Sequence, residues 1–216
     1  IKHTLFEAEK NGNQICCSKQ IAETQKDVSM NAVYTDDKPY FFAENQEQFT
    51  KTIQTIGLEN IKEWSTDAPN LYLLKTELLS KDGTSIDSSL MRIGFCTRTF
   101  DADKGFFLNG KHLKIHGACM HHDLGALGSA FNKSAARRQL EKLKKMGVNA
   151  IRTSHNPYAP SFLDLADELG FLIDSEGFDM WEKNKTDYDY ANYFKEWAAR
   201  DTASWVRRDR SHVSVF

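Results

Sequence analysis

Residues 149–157, Asn149-Ala150-Ile151-Arg152-Thr153-Ser154-His155-Asn156-Pro157, form a short β-branched run that ends abruptly in polar and ionisable side chains. Pro157 stops the run, because proline has no backbone N–H to donate to a neighbouring strand. Polar groups at the carboxyl end of a buried strand are where α/β barrels place their chemistry. The stretch therefore predicts a barrel strand with functional groups at its end.

The sequence around this stretch alternates between short strands and helices. Strands are predicted at 113–116, 150–153 and 171–175 and from Val213, with helices at 133–146, 160–169 and 193–206. This order is typical of a parallel α/β sheet. Doubly wound nucleotide-binding folds share the order, but no Gly-rich phosphate loop follows any of these strands. The groups that do follow them favour a barrel with hydrolytic chemistry: His121-His122-Asp123, Ser154-His155-Asn156 and Glu176.

The first hundred residues have a different pattern. Asn11-Gly12 and Lys81-Asp82-Gly83-Thr84 each separate two strand-like runs, which predicts two β-hairpins. Residues 50–56 alternate in the manner of a further strand. We therefore predict a multi-domain chain, with an all-β immunoglobulin-like sandwich over residues 1–100 and the N-terminal part of an α/β TIM (β/α)₈ barrel over residues 101–216.

The composition excludes some classes of partner. The 216 residues include 28 Lys and Arg against 30 Asp and Glu, a formal charge of −2, so we expect no nucleic-acid partner. No run approaches the ~18 apolar residues of a membrane span, so we expect no membrane partner. The four cysteines lack metal-binding spacing and leave the compartment open: cytoplasmic, or periplasmic or secreted if an upstream signal peptide was removed.

Several motifs follow one another in a fixed order between residues 64 and 216. They are Trp64-Ser65 with 69–72, Ile93-Gly94-Phe95 with Arg98, 107–111, Gly117 with 121–125, 146–157, 167–170, 174–176 and 207–215. This ordered set resembles glycoside hydrolase family 2, the family of the β-galactosidases and β-glucuronidases. One departure lies at Cys119, where many members have Asn.

The resemblance implies a retaining exo-β-glycosidase that hydrolyses terminal β-linked sugars. The loop at residues 121–125 looks most like that of enzymes acting on β-D-galactosides, while β-glucuronidase and β-mannosidase remain alternatives. Retaining enzymes use two carboxyl groups about 5–5.5 Å apart. The resemblance places both the acid/base and the nucleophile glutamates beyond Phe216, so we expect no catalytic glutamate in this chain and no activity from the chain alone.

The resemblance gives the chain supporting groups instead. Arg152 is expected to pair with the nucleophile carboxylate, because a guanidinium is rigid and always charged. Glu176 is expected to line the cleft, with a Mg²⁺ role, as in one branch of the family, as the minor alternative; otherwise we predict no metal and no cofactor. Asp164, Asp167 and Glu168 are predicted to form a solvated helix face. The expected substrate-binding residues are His121, His122, Asp123, His155, Asn156, Glu176 and Trp181.

Two further hypotheses do not depend on catalysis. The chain could act as a non-catalytic carbohydrate-binding or interaction module, for which carbohydrate is again the expected partner. A polypeptide that ended at Phe216 would also leave an open strand edge, and open edges pair with other chains. That edge predicts self-association into a homo-oligomer.

Overall fold

A computed structural model describes residues 1–12, 14–28 and 52–216. The chain forms two compact units, Ile1–Asn60 with Tyr72–Met91, and Ile61–Leu71 with Arg92–Phe216. Residues 61–71 and 92–100, which sequence analysis assigns to the sandwich, belong to the second unit. The domain boundary near residue 100 stays a prediction.

The first unit is built on an antiparallel arrangement of strands. Its four-stranded sheet has the order β2-β1-β3-β4, from β1 (Lys2–Asn11), β2 (Gln14–Gln25), β3 (Tyr72–Leu79) and β4 (Ser85–Ile93). Both predicted hairpins are confirmed, since β1 pairs with β2 and β3 neighbours β4. Gly12 has a φ of 62°, the left-handed conformation that a tight turn requires of its glycine.

The core of this sheet lies around β1. Leu5 is opposite Ala22 on one side and Leu74 on the other, and its side chain is buried. The strand predicted over residues 50–56 is wrong where it can be judged: Thr52–Ile56 form no strand, and residues 50 and 51 lie outside the described residues. The exposure of the side chains still alternates from Thr52 to Ile56. The segment contacts β1 through a side chain, since Gln54 Nε2 donates to the carbonyl of Ile1, the residue before β1, at 3.2 Å.

The second unit carries the alternating strands and helices. A short antiparallel sheet holds β5 (Arg98–Asp101), β6 (Gly105–Leu108) and β7 (Lys111–His112). A parallel sheet of order β10-β9-β8 then holds β8 (Gly117–His121), β9 (Ala150–Ser154) and β10 (Leu172–Ser175). The helices are α1 (Lys133–Lys145), α2 (Pro160–Leu169) and α3 (Phe194–Asp209), with 3-10 turns at Gly125–Leu127 and Tyr190–Asn192.

Parallel strands in sequential order, with helices between them, are the start of a (β/α)₈ barrel, as predicted. The predicted fourth strand is reduced to one parallel bridge between Val215 and Ile173. The first strand begins at Gly117 rather than at Leu113. The reason is Asn149, whose side-chain amide accepts from His116 N at 2.8 Å and donates to the Lys114 carbonyl at 2.9 Å. These backbone groups bind a side chain, so they do not bind the backbone of a neighbouring strand.

The helix ends follow the sequence signals. Asn132 begins α1 by accepting a hydrogen bond from Ala135 N at 3.0 Å, and Gly147 follows its end with a φ of 85°. Pro160 opens α2, and Gly170 ends it with a φ of 72°. The apolar residues between helices and sheet are fully buried, among them Leu140, Ile151, Leu165, Phe171 and Ile173. No helix in the described part of the chain is long and apolar enough to cross a membrane.

The acidic residues of α2 are not the solvated face that the sequence suggests. Asp167 is 2% exposed and Glu168 is 3% exposed. Glu168 accepts from Arg92 through one oxygen and from Arg137 through the other. Helical periodicity could not show this, because both arginines are far away in the sequence.

Asp167 joins three segments of the second unit. One carboxylate oxygen accepts from Ser214 N at 2.9 Å, and the other lies 2.7 Å from His212 Nδ1. The Asp167 carbonyl accepts from the buried Trp64 indole at 2.8 Å. Trp64 N in turn donates to the Phe95 carbonyl at 2.7 Å. Segments that lie up to about a hundred residues apart therefore meet at one residue, Asp167.

The Asp167–His212 pair makes stability depend on pH. Burial alone would lower the pKa of His212, but the hydrogen bond and charge of Asp167, with the charges of Asp164 and Asp209, raise that pKa overall above its usual 6.5. A raised pKa contributes stability that is fully present below pH 6.5 and is lost as the pH rises through the folded-state pKa.

We therefore expect the melting temperature to fall as the pH rises above 6.5, and the His212→Asn variant to show a flatter profile over the same range. Thermal unfolding followed by circular dichroism at stepped pH measures both. His116→Ala, which removes an exposed histidine, is the control and should keep the wild-type slope. An unchanged slope in His212→Asn would contradict the assignment.

The two helix-ending glycines offer a second test. A Cβ on Gly170 would lie 2.3 Å from the Thr66 carbonyl oxygen, whereas a Cβ on Gly147 would meet nothing within 4 Å. Gly147→Ala should cost about 1 kcal/mol for its left-handed backbone alone. Gly170→Ala should cost at least about 1 kcal/mol more, since backbone atoms must also move apart. Urea unfolding of both variants decides it, and equal losses would show that the Thr66 contact is unimportant.

Candidate active site

A carboxylate that contacts an arginine and a histidine side chain lies at the carboxyl ends of the parallel strands. Glu176 Oε1 forms an ion pair with Arg152 Nη2, and Glu176 Oε2 lies 2.8 Å from His155 Nδ1. The His155 ring meets the His121 ring edge to face, with centroids 5.4 Å apart. We call Arg152, His155, Glu176 and His121 the Glu176 cluster. Four groups from three strand ends thus meet in one place, as the shared direction of parallel strands requires.

Arg152 has further partners beside Glu176. Its Nη1 lies 3.6 Å from Cys119 Sγ and donates to Ser154 Oγ at 3.2 Å. The hydrogen bond to Cys119, followed by the bond and charge of Glu176, raises the pKa of Arg152 above its already high value. The guanidinium therefore stays charged. Its predicted pairing with the nucleophile carboxylate stays a prediction, since its carboxylate partner in this structure is Glu176.

Thr153 holds the backbone of the cluster in place, and sequence analysis did not single it out. Its side chain is fully buried, and its hydroxyl oxygen accepts from Glu176 N at 3.1 Å. The same hydroxyl lies 3.5 Å from the Asp174 carbonyl, to which it donates. One hydroxyl on β9 thereby binds the backbone of β10 at Asp174 and the backbone of Glu176, which follows the strand. The sequence feature that could have identified Thr153 is its position between Arg152 and Ser154, in a strand that pairs with β10.

Trp205 packs against Gly177, the residue that follows Glu176. A Cβ on Gly177 would lie 2.9 Å from Trp205 Cζ3, so α3 packs directly on the backbone after Glu176. Trp197 and Trp205 on α3 are both half-buried. Gly177 is therefore the residue that lets helix α3 approach the site.

The remaining predicted site residues are His122, Asp123, Asn156 and Trp181. His122 packs against Phe131 and Tyr158, and its Nε2 is buried with no hydrogen-bond partner in the described part of the chain. Asp123 closes its own turn by accepting from Gly125 N at 2.5 Å. Asn156 is exposed after His155. Trp181 is 69% exposed and stacks on Phe194. Their roles in substrate binding stay predictions.

One group of metal-ligating side chains occurs in the described residues, and it lies outside the Glu176 cluster. Asp164, Asp167 and His212 bring their ligand atoms within 4.8 Å of one another. Those atoms already have protein partners: Arg92 lies 3.6 Å from the Asp164 carboxylate, and Asp167 pairs with His212 and Ser214. The chemistry of this donor set is that of a structural ion-pair network. The Mg²⁺ alternative at Glu176 stays a prediction.

Fold and site together define a class of protein: a (β/α)₈ barrel with its ionisable groups at the carboxyl ends of the strands. Residues 102–216 match the TIM barrel domain of glycosyl hydrolases family 2, and residues 6–95 match a second domain of glycosyl hydrolases family 2. The chain belongs to glycoside hydrolase family 2. The resemblance and the fold class predicted from the sequence are both confirmed.

Two curated relatives and one solved structure show the range of the family. Beta-galactosidase BoGH2A of Bacteroides ovatus is 48% identical over 163 residues, which cover 76% of this chain and 19% of that protein. A putative beta-glucuronidase of Formosa agariphila is 37% identical over 212 residues, 96% of this chain and 20% of that protein. A family 2 glycosyl hydrolase of Bacteroides cellulosilyticus superposes with a TM-score of 0.83 at 35% identity, covering all of this chain and 25% of that chain. The chain therefore spans about a fifth to a quarter of the length of these three proteins.

The role of Thr153 can be tested directly. Thr153→Val keeps the shape but leaves Glu176 N without its acceptor, which should cost about 1–3 kcal/mol. Hydrogen exchange at the Glu176 amide should also become faster, and Thr153→Ser should restore both properties. Urea unfolding and NMR hydrogen exchange provide the two measurements. A Glu176 amide that stays protected in Thr153→Val would show that another group holds it.

Proposed function

We propose that this chain forms part of the active-site wall of a retaining exo-β-glycosidase that hydrolyses terminal β-linked sugars, β-D-galactosides first. The observation that carries the proposal is the Glu176 cluster, a carboxylate held between Arg152 and His155 where the parallel strands end. Membership of family 2 supports glycoside hydrolysis as the class of reaction.

The chemistry divides between this chain and the family's two glutamates. A retaining enzyme protonates the leaving oxygen with one carboxyl group and attacks the anomeric carbon with the other, about 5–5.5 Å away. By the resemblance, both of those glutamates lie beyond Phe216. We assign this chain the binding and orientation of the terminal sugar.

Each group of the Glu176 cluster suits that task. The Glu176 carboxylate, paired with Arg152 through one oxygen, can accept hydrogen bonds from sugar hydroxyls. A neutral His155 that donates through Nδ1 to Glu176 presents its Nε2 as an acceptor for a hydroxyl. His121, in edge contact with His155, offers a second imidazole that can donate through one nitrogen and accept at the other.

A β-glucuronide substrate is the second candidate, because the putative beta-glucuronidase of Formosa agariphila aligns with 96% of this chain. The higher identity to a beta-galactosidase, 48% over 163 residues, puts galactosides first. β-Mannosidase stays a prediction from the resemblance alone.

Turnover by the purified chain provides the first test. The 216-residue chain should show no activity above background on 4-nitrophenyl β-galactoside or 4-nitrophenyl β-glucuronide, because a chain without the two glutamates has neither proton donor nor nucleophile. Clear turnover that His155→Ala abolished would overturn this division of roles.

Binding tests the site itself and ranks the sugars. Saturation-transfer NMR should detect galactose more strongly than glucuronic acid on the chain, and His155→Ala should remove the signal. His116→Ala is the matched control, since His116 is exposed and precedes the amino end of β8, opposite the end that carries the cluster. Loss of binding in both variants, or in neither, would argue against the Glu176 cluster as the sugar site. Preference for glucuronic acid would favour the β-glucuronidase alternative.

A further inference from the structure

The loop after β10 presents a large aromatic ring to solvent. Trp181 is 69% exposed, yet its ring lies on that of Phe194, with an interplanar angle of 10° and centroids 6.2 Å apart. The indole is therefore in contact with Phe194 while most of its surface is open to solvent. An open aromatic face with a firm support is the geometry of a stacking surface.

The support under Trp181 is itself a packed group of rings. Phe178 stacks on Tyr190 with centroids 4.8 Å apart and meets Phe194 edge to face at 5.6 Å. Tyr190 is anchored by a 2.6 Å hydrogen bond from its hydroxyl to Asp201 Oδ2 on α3. We call Phe178, Trp181, Tyr190 and Phe194 the aromatic platform. Three of its rings pack on one another, and Trp181 joins the group through its contact with Phe194.

Polar bonds hold the rest of the loop. Asp189 accepts from Lys185 N at 2.6 Å, from Thr186 N at 2.8 Å and from Ala191 N at 3.0 Å. Lys185 Nζ also pairs with Asp179 at 3.1 Å. A loop ordered in this way loses little conformational entropy when a ligand binds. The entropy cost therefore does not cancel the favourable free energy of weak stacking contacts.

The platform lies close to the Glu176 cluster along the chain. Trp181 is five residues after Glu176, and five residues reach at most ~18 Å when fully extended. Both belong to the segment that leaves the carboxyl end of β10, the end at which the cluster is assembled. A ring within this reach is separated from the terminal sugar site by the length of a few sugar units or less.

We propose that Trp181 stacks on the sugar unit to which the terminal sugar is linked, so that the preferred ligands are β-linked oligosaccharides rather than simple glycosides. This inference rests on the proposed function, because it takes the Glu176 cluster as the site of the terminal sugar. A pyranose fits the open indole face because its C–H groups form an apolar face while its hydroxyls remain at the edge in water. The formal charge of −2 disfavours a nucleic-acid strand as the occupant.

The test compares lactose with galactose on the full chain by isothermal titration calorimetry. Lactose should bind more tightly than galactose, and Trp181→Ala should weaken lactose binding by about 2- to 12-fold, the range of one aromatic contact. Galactose binding should not change, and Trp181→Phe should retain most of the affinity for lactose. Tyr188→Ala is the matched control, since Tyr188 is 96% exposed on the same loop. Circular dichroism melts establish that each variant is folded.

The outcomes separate the two proposals. Equal binding of lactose by wild type and Trp181→Ala, with galactose still bound, overturns the Trp181 inference and leaves the proposed function standing. Weakening of both sugars by Trp181→Ala also overturns it, because the ring would then belong to the terminal sugar site. Failure of wild type to bind galactose counts against the proposed function, and failure to bind lactose counts against the inference.

Discussion

The buried carboxylate of Asp167 is the interaction on which the second unit depends. A charge in this position is costly unless every oxygen has a partner. The partners of the carboxylate are His212 and the Ser214 backbone, which are distant in the sequence. The backbone carbonyl of Asp167 accepts from the Trp64 indole. Helix α2 therefore cannot pack without the residues around 64 and those around 213. The same contacts bring Val215 alongside Ile173, where the fourth parallel position begins.

The site inherits its precision from this packing. Helix α2 leads into β10, whose partner β9 carries Arg152 and Thr153 on neighbouring residues. Thr153 is buried and binds the backbone of Glu176, whereas Arg152 reaches its carboxylate. One strand thus holds both the backbone and the carboxylate of the same acidic residue. A carboxylate whose backbone and side chain are both held in this way has its oxygens in fixed directions.

The two parts of the proposed ligand site work by different physics. The Glu176 cluster offers directional hydrogen bonds and charge, which distinguish one hydroxyl arrangement from another. The aromatic platform offers a flat apolar face, which accepts many sugars in similar orientations. An enzyme that bound the terminal sugar by directional hydrogen bonds and the following unit by stacking would have narrow specificity for the first unit and broad specificity for the second.

The sequence by itself determined the family, the two hairpins of the first unit and the alternation of strands and helices in the second. Asn132, Gly147, Pro160 and Gly170 are local signals, and the helices begin or end where these residues predict. It also singled out Arg152, His155 and Glu176, because polar residues at strand ends are visible in a linear pattern. Tertiary structure alone decided what depends on distant partners. It buried Asp167 and Glu168, started β8 at Gly117 because Asn149 takes the preceding bonds, and turned His122 towards Phe131 and Tyr158. Periodicity reports which face a residue lies on, but the free energy of a buried charge or hydroxyl depends on groups that only folding brings within reach.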